Sequence, residues 1–262
     1  MDMKLEGQRV LVTAASKGIG FGAAKAFLEE GARVVINSSN AKRLNDAKDL
    51  LKSIGEIHAL PADISLHTEI DRLVDGGISE LGGLDVLVHV TGPPKPGTFL
   101  ELDYDDWMTG ARSLVVGPAY MAKRVAEHMI KAQAKGRMVF LSSYVIREPV
   151  PSLALSDVCR ISSASLVRTL ARELAPKGIR VNGIMPGYIK TDRIDEIVEA
   201  TVRRRGISRA QALAEIESAI PLGRIGTTEE LARVILFLGS EISSYVSGTL
   251  IPVDGALLKS VG

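Results

Sequence analysis

Cysteine is nearly absent from this chain. Its one copy, Cys159, cannot form an intrachain disulfide, which fits a reducing compartment and leaves the thiol to act as a small buried hydrophobe. Long apolar runs are missing too. None reaches the roughly 20 residues of a spanning helix, and no apolar segment with a basic flank and a cleavage site opens the chain. A cytoplasmic protein without a membrane partner is expected. An excess of one charge is also lacking: 32 Lys and Arg stand against 31 Asp and Glu, mixed along the whole sequence, for a formal net charge of +1. That leaves no electrostatic footprint for nucleic acid and points to a small-molecule partner. Finally, no Pro/Gly/Ser-rich linker, internal repeat or low-complexity tract interrupts residues 1–262, which favours one large domain.

What is present is an alternation of short β-branched runs with longer amphipathic stretches, the pattern of βαβ units around a parallel sheet. Seven strands are predicted, at Arg9–Thr13, Arg33–Asn37, Glu56–Pro61, Asp85–His89, Arg137–Leu141, Arg180–Met185 and Thr249–Val253. They are mostly continuous Val/Ile/Leu runs, as strands buried on both faces require. Helices are predicted over Gly18–Glu30, Ala41–Ile54, Leu66–Leu81, Tyr104–Ala134, Leu155–Ala175 and Thr228–Gly239, the last opened by a capping box from Thr227 to Glu230. Between Thr191 and Gly226 the rhythm changes to two charged amphipathic helices, the second capped by Ser208 and Gln211. This 191–226 insertion follows the sixth strand, so it is expected to cover a ligand beyond the carboxyl ends of the strands. Its Arg203-Arg204-Arg205 run reads as a solvated helix face.

The first strand leads into Thr13-Ala14-Ala15-Ser16-Lys17-Gly18-Ile19-Gly20 and then directly into a helix. Unpaired N–H groups and the helix dipole favour an anion at such a junction, and Gly18 and Gly20 allow close backbone approach. A glycine-rich turn alone is a weak signal, because tight turns also need glycine for steric reasons. Other segments agree with it. Thr13 to Gly20 looks like a TGxxxGIG turn, Asp63-Ile64-Ser65 like an adenine-contacting aspartate segment, and Pro186-Gly187-Tyr188-Ile189-Lys190-Thr191 like a PGxxxT loop. Arg180-Val181-Asn182 and the stretch Gly248 to Gly255 add two further matches. On these residues the chain resembles the short-chain dehydrogenase/reductase family, in particular its branch of β-ketoacyl carrier-protein reductases.

The resemblance implies a single Rossmann-type doubly wound α/β domain that binds a nicotinamide dinucleotide. It places cofactor contacts at Thr13, Ala15, Ser16, Lys17, Gly18, Ile19, Gly20, Ser38, Asn40, Asp63, Ile64, Val90, Gly92, Pro186, Gly187 and Thr191. Ile19 and Gly20 would flank the diphosphate, Asp63 would bond the adenine and Thr191 the nicotinamide carboxamide; Asp63 as a turn aspartate and Thr191 as a helix cap are the plainer alternatives. An NAD-selective site would carry an acid near Ser38, whereas the run here is Asn37-Ser38-Ser39-Asn40 with Lys17, Lys42 and Arg43 nearby. A mild preference for NADP(H) over NAD(H) follows. The resemblance further implies a homo-dimer or homo-tetramer built on the helices Tyr104–Ala134 and Leu155–Ala175.

The catalytic half departs from the family. Its members carry a serine after the fifth strand, then a tyrosine and a lysine one helical turn apart. Ser143 holds the serine position, but with the register pinned by Leu170 through Asn182 the tyrosine position is Ser156 and the lysine position Arg160. A serine hydroxyl is a far weaker acid than a phenol and an arginine stays protonated, so this pair cannot be tuned in the same way. Leu114 stands at the family's asparagine, His89-Val90-Thr91-Gly92 at its NNAG segment, and Ala14 at the first glycine of the turn, where a methyl is expected to face the pyrophosphate. Tyr144 and Tyr188 are the phenols that could approach a substrate, and His89 reads as a structural histidine. Arg160, as a fixed cation in a cleft, suits an anionic substrate, with a structural ion pair as the alternative. The expectation is an NAD(P)(H)-dependent oxidoreductase of carbonyl or alcohol substrates using Ser143, Ser156 and Arg160. A non-catalytic dinucleotide-binding sensor or scaffold protein is the alternative, cofactor-independent lyase chemistry a third reading, and no metal site is expected.

Overall fold

In the computed structural model, which describes residues 2–260, seven parallel strands form one sheet. They are β1 (Arg9–Val12), β2 (Arg33–Ser38), β3 (Ile57–Pro61), β4 (Val86–His89), β5 (Arg137–Leu141), β6 (Arg180–Pro186) and β7 (Leu250–Val253), in the order β3-β2-β1-β4-β5-β6-β7. The order reverses between β1 and β4, which opens a crevice beyond their carboxyl ends. Alternate residues of each strand feed separate apolar layers: Val10 and Val12 join one cluster, Leu11 the other. The first layer is covered by α1 (Gly18–Glu29), α2 (Ala41–Leu51) and α10 (Thr228–Gly239), through Phe27, Leu44 and Ile235. The second is covered by α3 (His67–Leu81), α5 (Gly117–Lys131) and α7 (Ser162–Leu174), through Leu73, Met121 and Val167.

Two helices predicted as continuous are interrupted. The stretch Tyr104–Ala134 divides into α4 (Tyr104–Ala111), a π turn over Arg112–Val116, and α5. Pro118 has no N–H to give the Leu114 carbonyl, whose oxygen lies 3.4 Å from Ser162 Oγ. Gly117 sits so close to the Ile64 carbonyl that an added Cβ would lie 2.5 Å from its oxygen. The stretch Leu155–Ala175 divides into α6 (Ala154–Arg160) and α7 at Ile161. There Ser162 and Ser163 hydroxyls donate to the carbonyls of Cys159 and Arg160, both at 2.6 Å, and compete with the helical ladder.

The insertion after β6 holds α8 (Asp192–Arg205) and α9 (Arg209–Ala219), with the capping box of Ser208 and Gln211 in place. The two pack together through Ile194, Val198 and Ala212. Its ends are pinned to each other, since Lys190 donates to the Gly226 carbonyl at 2.8 Å and Gly226 to the Tyr188 carbonyl at 3.0 Å. No helix among the described residues is long and apolar enough to cross a membrane.

Candidate active site

The turn from β1 to α1 is anchored before it is open. Thr13 is fully buried, and its hydroxyl donates to the Val90 carbonyl at 2.6 Å and accepts from the Val90 N–H at 2.8 Å, stapling β1 to β4. Ala15 is also buried, and its N–H donates to the Asn37 carbonyl at 2.8 Å. These two predicted contacts therefore hold the turn rather than offer donors. Beyond them the main-chain N–H groups of Lys17, Gly18, Ile19 and Gly20 find no acceptor among the described residues, and α1 has neither a side-chain cap nor an acid in its first turn. A row of free donors at the positive end of a 12-residue helix fits a diphosphate. Gly20 makes the row possible, since a Cβ there would lie 2.5 Å from the Ala14 carbonyl oxygen.

Ala14 adopts φ +46°, in the left-handed region where glycine is at home. Ala14 is partly buried and packs against the apolar cluster of the α1 layer. The substitution acts on the backbone, as local strain.

Toward the adenosine side, Ser16 Oγ donates to Ser38 Oγ at 3.1 Å, and Asn40 caps α2 by accepting from Arg43 N–H at 2.9 Å. Lys17 pairs with Asp192 at 2.8 Å, and both are exposed. Lys17, with a smaller contribution from Arg43, holds the Asp192 carboxyl below its ordinary range. Asp63 is exposed and accepts from Ser65 N–H at 2.9 Å, while its neighbour Ile64 lies against Gly117. Val90 is buried and Gly92 exposed past β4. At the end of β6, Pro186 is buried, Gly187 abuts Asp254, and the Thr191 methyl borders Gly18. Thr191 also takes the N-cap position of α8, although its hydroxyl donates to the Ile189 carbonyl at 3.2 Å.

The catalytic half lies beyond β4 and β5. Ser143 starts a short 3-10 turn and its Oγ accepts from Val145 N–H at 3.4 Å. Ser156 and Arg160 lie one turn apart on α6, which packs on that turn. Ser156 is buried, and its hydroxyl has no partner among the described residues. Arg160 Nη2 donates to the Gly92 carbonyl at 3.3 Å, joining α6 to the β4 loop. No carboxylate pairs with it among the described residues, so the structural ion pair does not form, and desolvation lowers its pKa to about 10. Leu114 is buried with Leu155 and Cys159, whose thiol is pushed up by burial.

The auxiliary candidates fare differently. Tyr144 and Tyr188 pack with their rings tilted at 48° and their centroids 5.7 Å apart, and burial first, with Tyr188 second, raises the Tyr144 phenol above its ordinary value. Tyr144 stays protonated and is no proton acceptor at neutral pH. His89 is buried, and desolvation lowers its pKa to about 3. Its ring is neutral.

Three residues escape the sequence reading. Thr91 Oγ1 and Asp157 Oδ1 are buried without partners, and Asp192 reaches back to Lys17. An acid between Ser156 and Arg160, and another directly after Thr191, were the available signals.

The comparisons agree with this architecture. The family model described as Enoyl-(Acyl carrier protein) reductase matches residues 13–257. The chain is 32% identical over 258 residues to a 3-oxoacyl-(acyl-carrier-protein) reductase of Chlamydia pneumoniae, covering 98% of this chain and 99% of that protein. It is likewise 32% identical over 256 residues to a glucose 1-dehydrogenase of Gluconobacter oxydans, covering 97% and 93%. Among solved structures, the L-sorbose reductase of Gluconobacter frateurii in complex with NADPH and L-sorbose superposes with a TM-score of 0.94 at 28% identity over the full length of both chains. A doubly wound parallel sheet with a glycine-containing strand-to-helix turn at its switch point defines the Rossmann class of folds. The chain belongs to the short-chain dehydrogenase/reductase family, on the side of its ketoacyl-reductase relatives.

Proposed function

We propose that this chain is a cytoplasmic, NADP(H)-preferring oxidoreductase that interconverts a carbonyl and an alcohol on a small molecule through Ser143, Ser156 and Arg160. The observation that carries the reading is the row of unpartnered amides from Lys17 to Gly20 at the start of α1. Ser16, Ser38, Asn40, Asp63 and Ile64 would border the adenosine half of the dinucleotide, and Val90, Gly92, Pro186, Gly187 and Thr191 the nicotinamide half. The absence of any acid among Asn37 to Asn40, with Lys17 and Arg43 close by, supports the 2′-phosphate form. So does the NADPH in the sorbose reductase complex. The dinucleotide supplies a hydride acceptor or donor.

The chain's own part is to hold the substrate oxygen. Ser143 and Ser156 can donate to a carbonyl oxygen, and Arg160, one turn from Ser156 on α6, would stabilise negative charge that develops on it. The uncompensated guanidinium suits an anionic substrate. The 191–226 insertion, pinned at its neck, would act as the lid, and Lys17–Asp192 would tie it to the phosphate turn. Exposed Val116, Val158 and Ile161 along α4 to α7 support burial in a homo-dimer or homo-tetramer. That the similar curated proteins are enzymes favours this reading over a non-catalytic sensor or scaffold.

A screen of carbonyls with NADPH and of alcohols with NADP, followed at the reduced-nicotinamide absorbance band, is expected to find turnover. The double substitution Ser156→Tyr with Arg160→Lys, which rebuilds the family pair, is expected to raise reduction of simple ketones by about 10²-fold or more. A folded, dinucleotide-binding double variant with no gain would refute the assignment of these positions.

A further inference from the structure

The 191–226 insertion has an apolar cluster of its own, built on Ile194, Val198 and Ala212 and separate from the two layers that pack on the sheet. Its position over the site therefore depends on a few local ties. One is Tyr188, which borders that cluster and packs on Tyr144. A second runs through the returning arm of the insertion. Leu222 N–H donates to the Gly255 carbonyl at 3.2 Å, and Gly255, at φ +66°, lies so close that an added Cβ would stand 2.7 Å from Ile220 Cγ2. Little apolar packing reinforces this junction, since Leu222 is 67% exposed and a cavity of about 120 Å³ is lined by Tyr188, Leu222, Val253 and Asp254.

The segment that follows Gly255 is folded on its own acid. Asp254 Oδ1 accepts from Ala256 N–H at 3.0 Å and Oδ2 from Leu258 N–H at 2.9 Å. Its far end meets the catalytic half, where Lys259 and Ser260 N–H groups both donate to Glu148 Oε1, at 2.6 and 3.2 Å. Bonds from main-chain amides to a carboxylate are charge-assisted and stronger than neutral ones.

Glu148 stands on a fixed base. Its own N–H and that of Arg147 donate to the Tyr144 carbonyl, at 3.3 and 3.0 Å, and Tyr144 directly follows Ser143. Val150 N–H donates to Asp157 of α6 at 3.2 Å, and Gly97 N–H to the Ser152 carbonyl at 2.8 Å, so the same loop is held from two further sides. A continuous chain of contacts thus leads from the Ser143 turn through Glu148 and residues 254–260 to the arm of the insertion. Glu148 is its one link made by a side chain of the catalytic half.

We propose that Glu148 is a positioning residue: it clasps the 254–260 segment and thereby couples the insertion to the turn that carries Ser143. Resting on the oxidoreductase reading above, the clasp sets how closely the insertion closes over a substrate held at Ser143.

Amide hydrogen exchange of the full chain, with and without NADPH, reads each link. In the wild type, Lys259, Ser260 and Leu222 are expected to be protected together. Glu148→Ala is expected to speed exchange at all three by about tenfold, the loss of one charge-assisted hydrogen bond, while the amides of β5 exchange as before. Glu148→Gln keeps an oxygen acceptor and should restore most of the protection, which a loss of side-chain packing alone would not require. Lys259→Pro, an exposed change, removes the shorter donor from the other side and should free Leu222 several-fold even if Glu148→Ala does not fold. Wild-type Lys259 and Ser260 amides that exchange freely, a Leu222 amide indifferent to Lys259→Pro, or a folded Gln variant as loose as the Ala variant would overturn the clasp. NADPH separates this claim from the reading it rests on. Slower exchange at the Lys17–Gly20 turn with Leu222 indifferent to the substitutions keeps that reading and overturns the clasp, whereas coupled loosening without any NADPH effect keeps the clasp and removes its role in an oxidoreductase.

Discussion

Single side chains decide how this site differs from its relatives. Ala14 holds a left-handed φ of +46° that costs an L-residue roughly 1–2 kcal/mol relative to glycine, offset by the greater freedom glycine has when unfolded. Ala14→Gly is therefore expected to be neutral or to stabilise by up to about 1 kcal/mol in urea melts. Ala15→Gly, at a buried position without positive φ, should destabilise by about 1 kcal/mol. Equal losses from both would contradict the strain at Ala14. His89 makes a second prediction at this scale. Its folded pKa of about 3 lies below the ordinary 6.5, so the unfolded chain binds the extra proton between those values. Its contribution to stability is full above about pH 6.5 and is lost as pH falls toward 3. His89→Gln should flatten the fall of the urea midpoint between pH 7 and pH 4.5, and an unchanged slope would show that the ring protonates freely in the folded state.

At the scale of elements, the legible features were those that nearby residues dictate. All seven strands lie within a residue of their predicted ends, because continuous Val/Ile/Leu runs bounded by polar turns leave little choice of period. The capping boxes at Thr227 and Ser208 also form as read. The π turn at Arg112–Val116 was hidden, since its causes include Ile64 and Ser162, each some fifty residues away along the chain. The Lys17–Asp192 pair was hidden for the same reason, since Asp192 belongs to a different element. Asp192→Asn should release Lys17 toward a 2′-phosphate. An exposed pair is worth about 0.2–1 kcal/mol, so NADPH affinity should rise by roughly 1.5- to 5-fold while NADH affinity stays constant. Equal changes for both dinucleotides would show that Lys17 does not read the 2′-phosphate.

For the molecule as a whole, the sequence resolved the architecture and the family more fully than the chemistry. The fold follows from motifs distributed over the entire chain, so one altered residue in each hardly weakens the pattern. The site depends on contacts between motifs: Thr13 proved to be a staple to Val90, and Thr91 and Asp157 acquired meaning only through their unpartnered buried oxygens. The free amides between Lys17 and Gly20 are the physical basis of the proposed activity. Isothermal titration of the purified chain with NADPH, NADP, NADH and NAD measures their occupancy directly. Saturable binding of one dinucleotide per chain, tighter for the phosphorylated pair, is the predicted result. A folded sample that shows no heat with any of the four at millimolar concentration would contradict it.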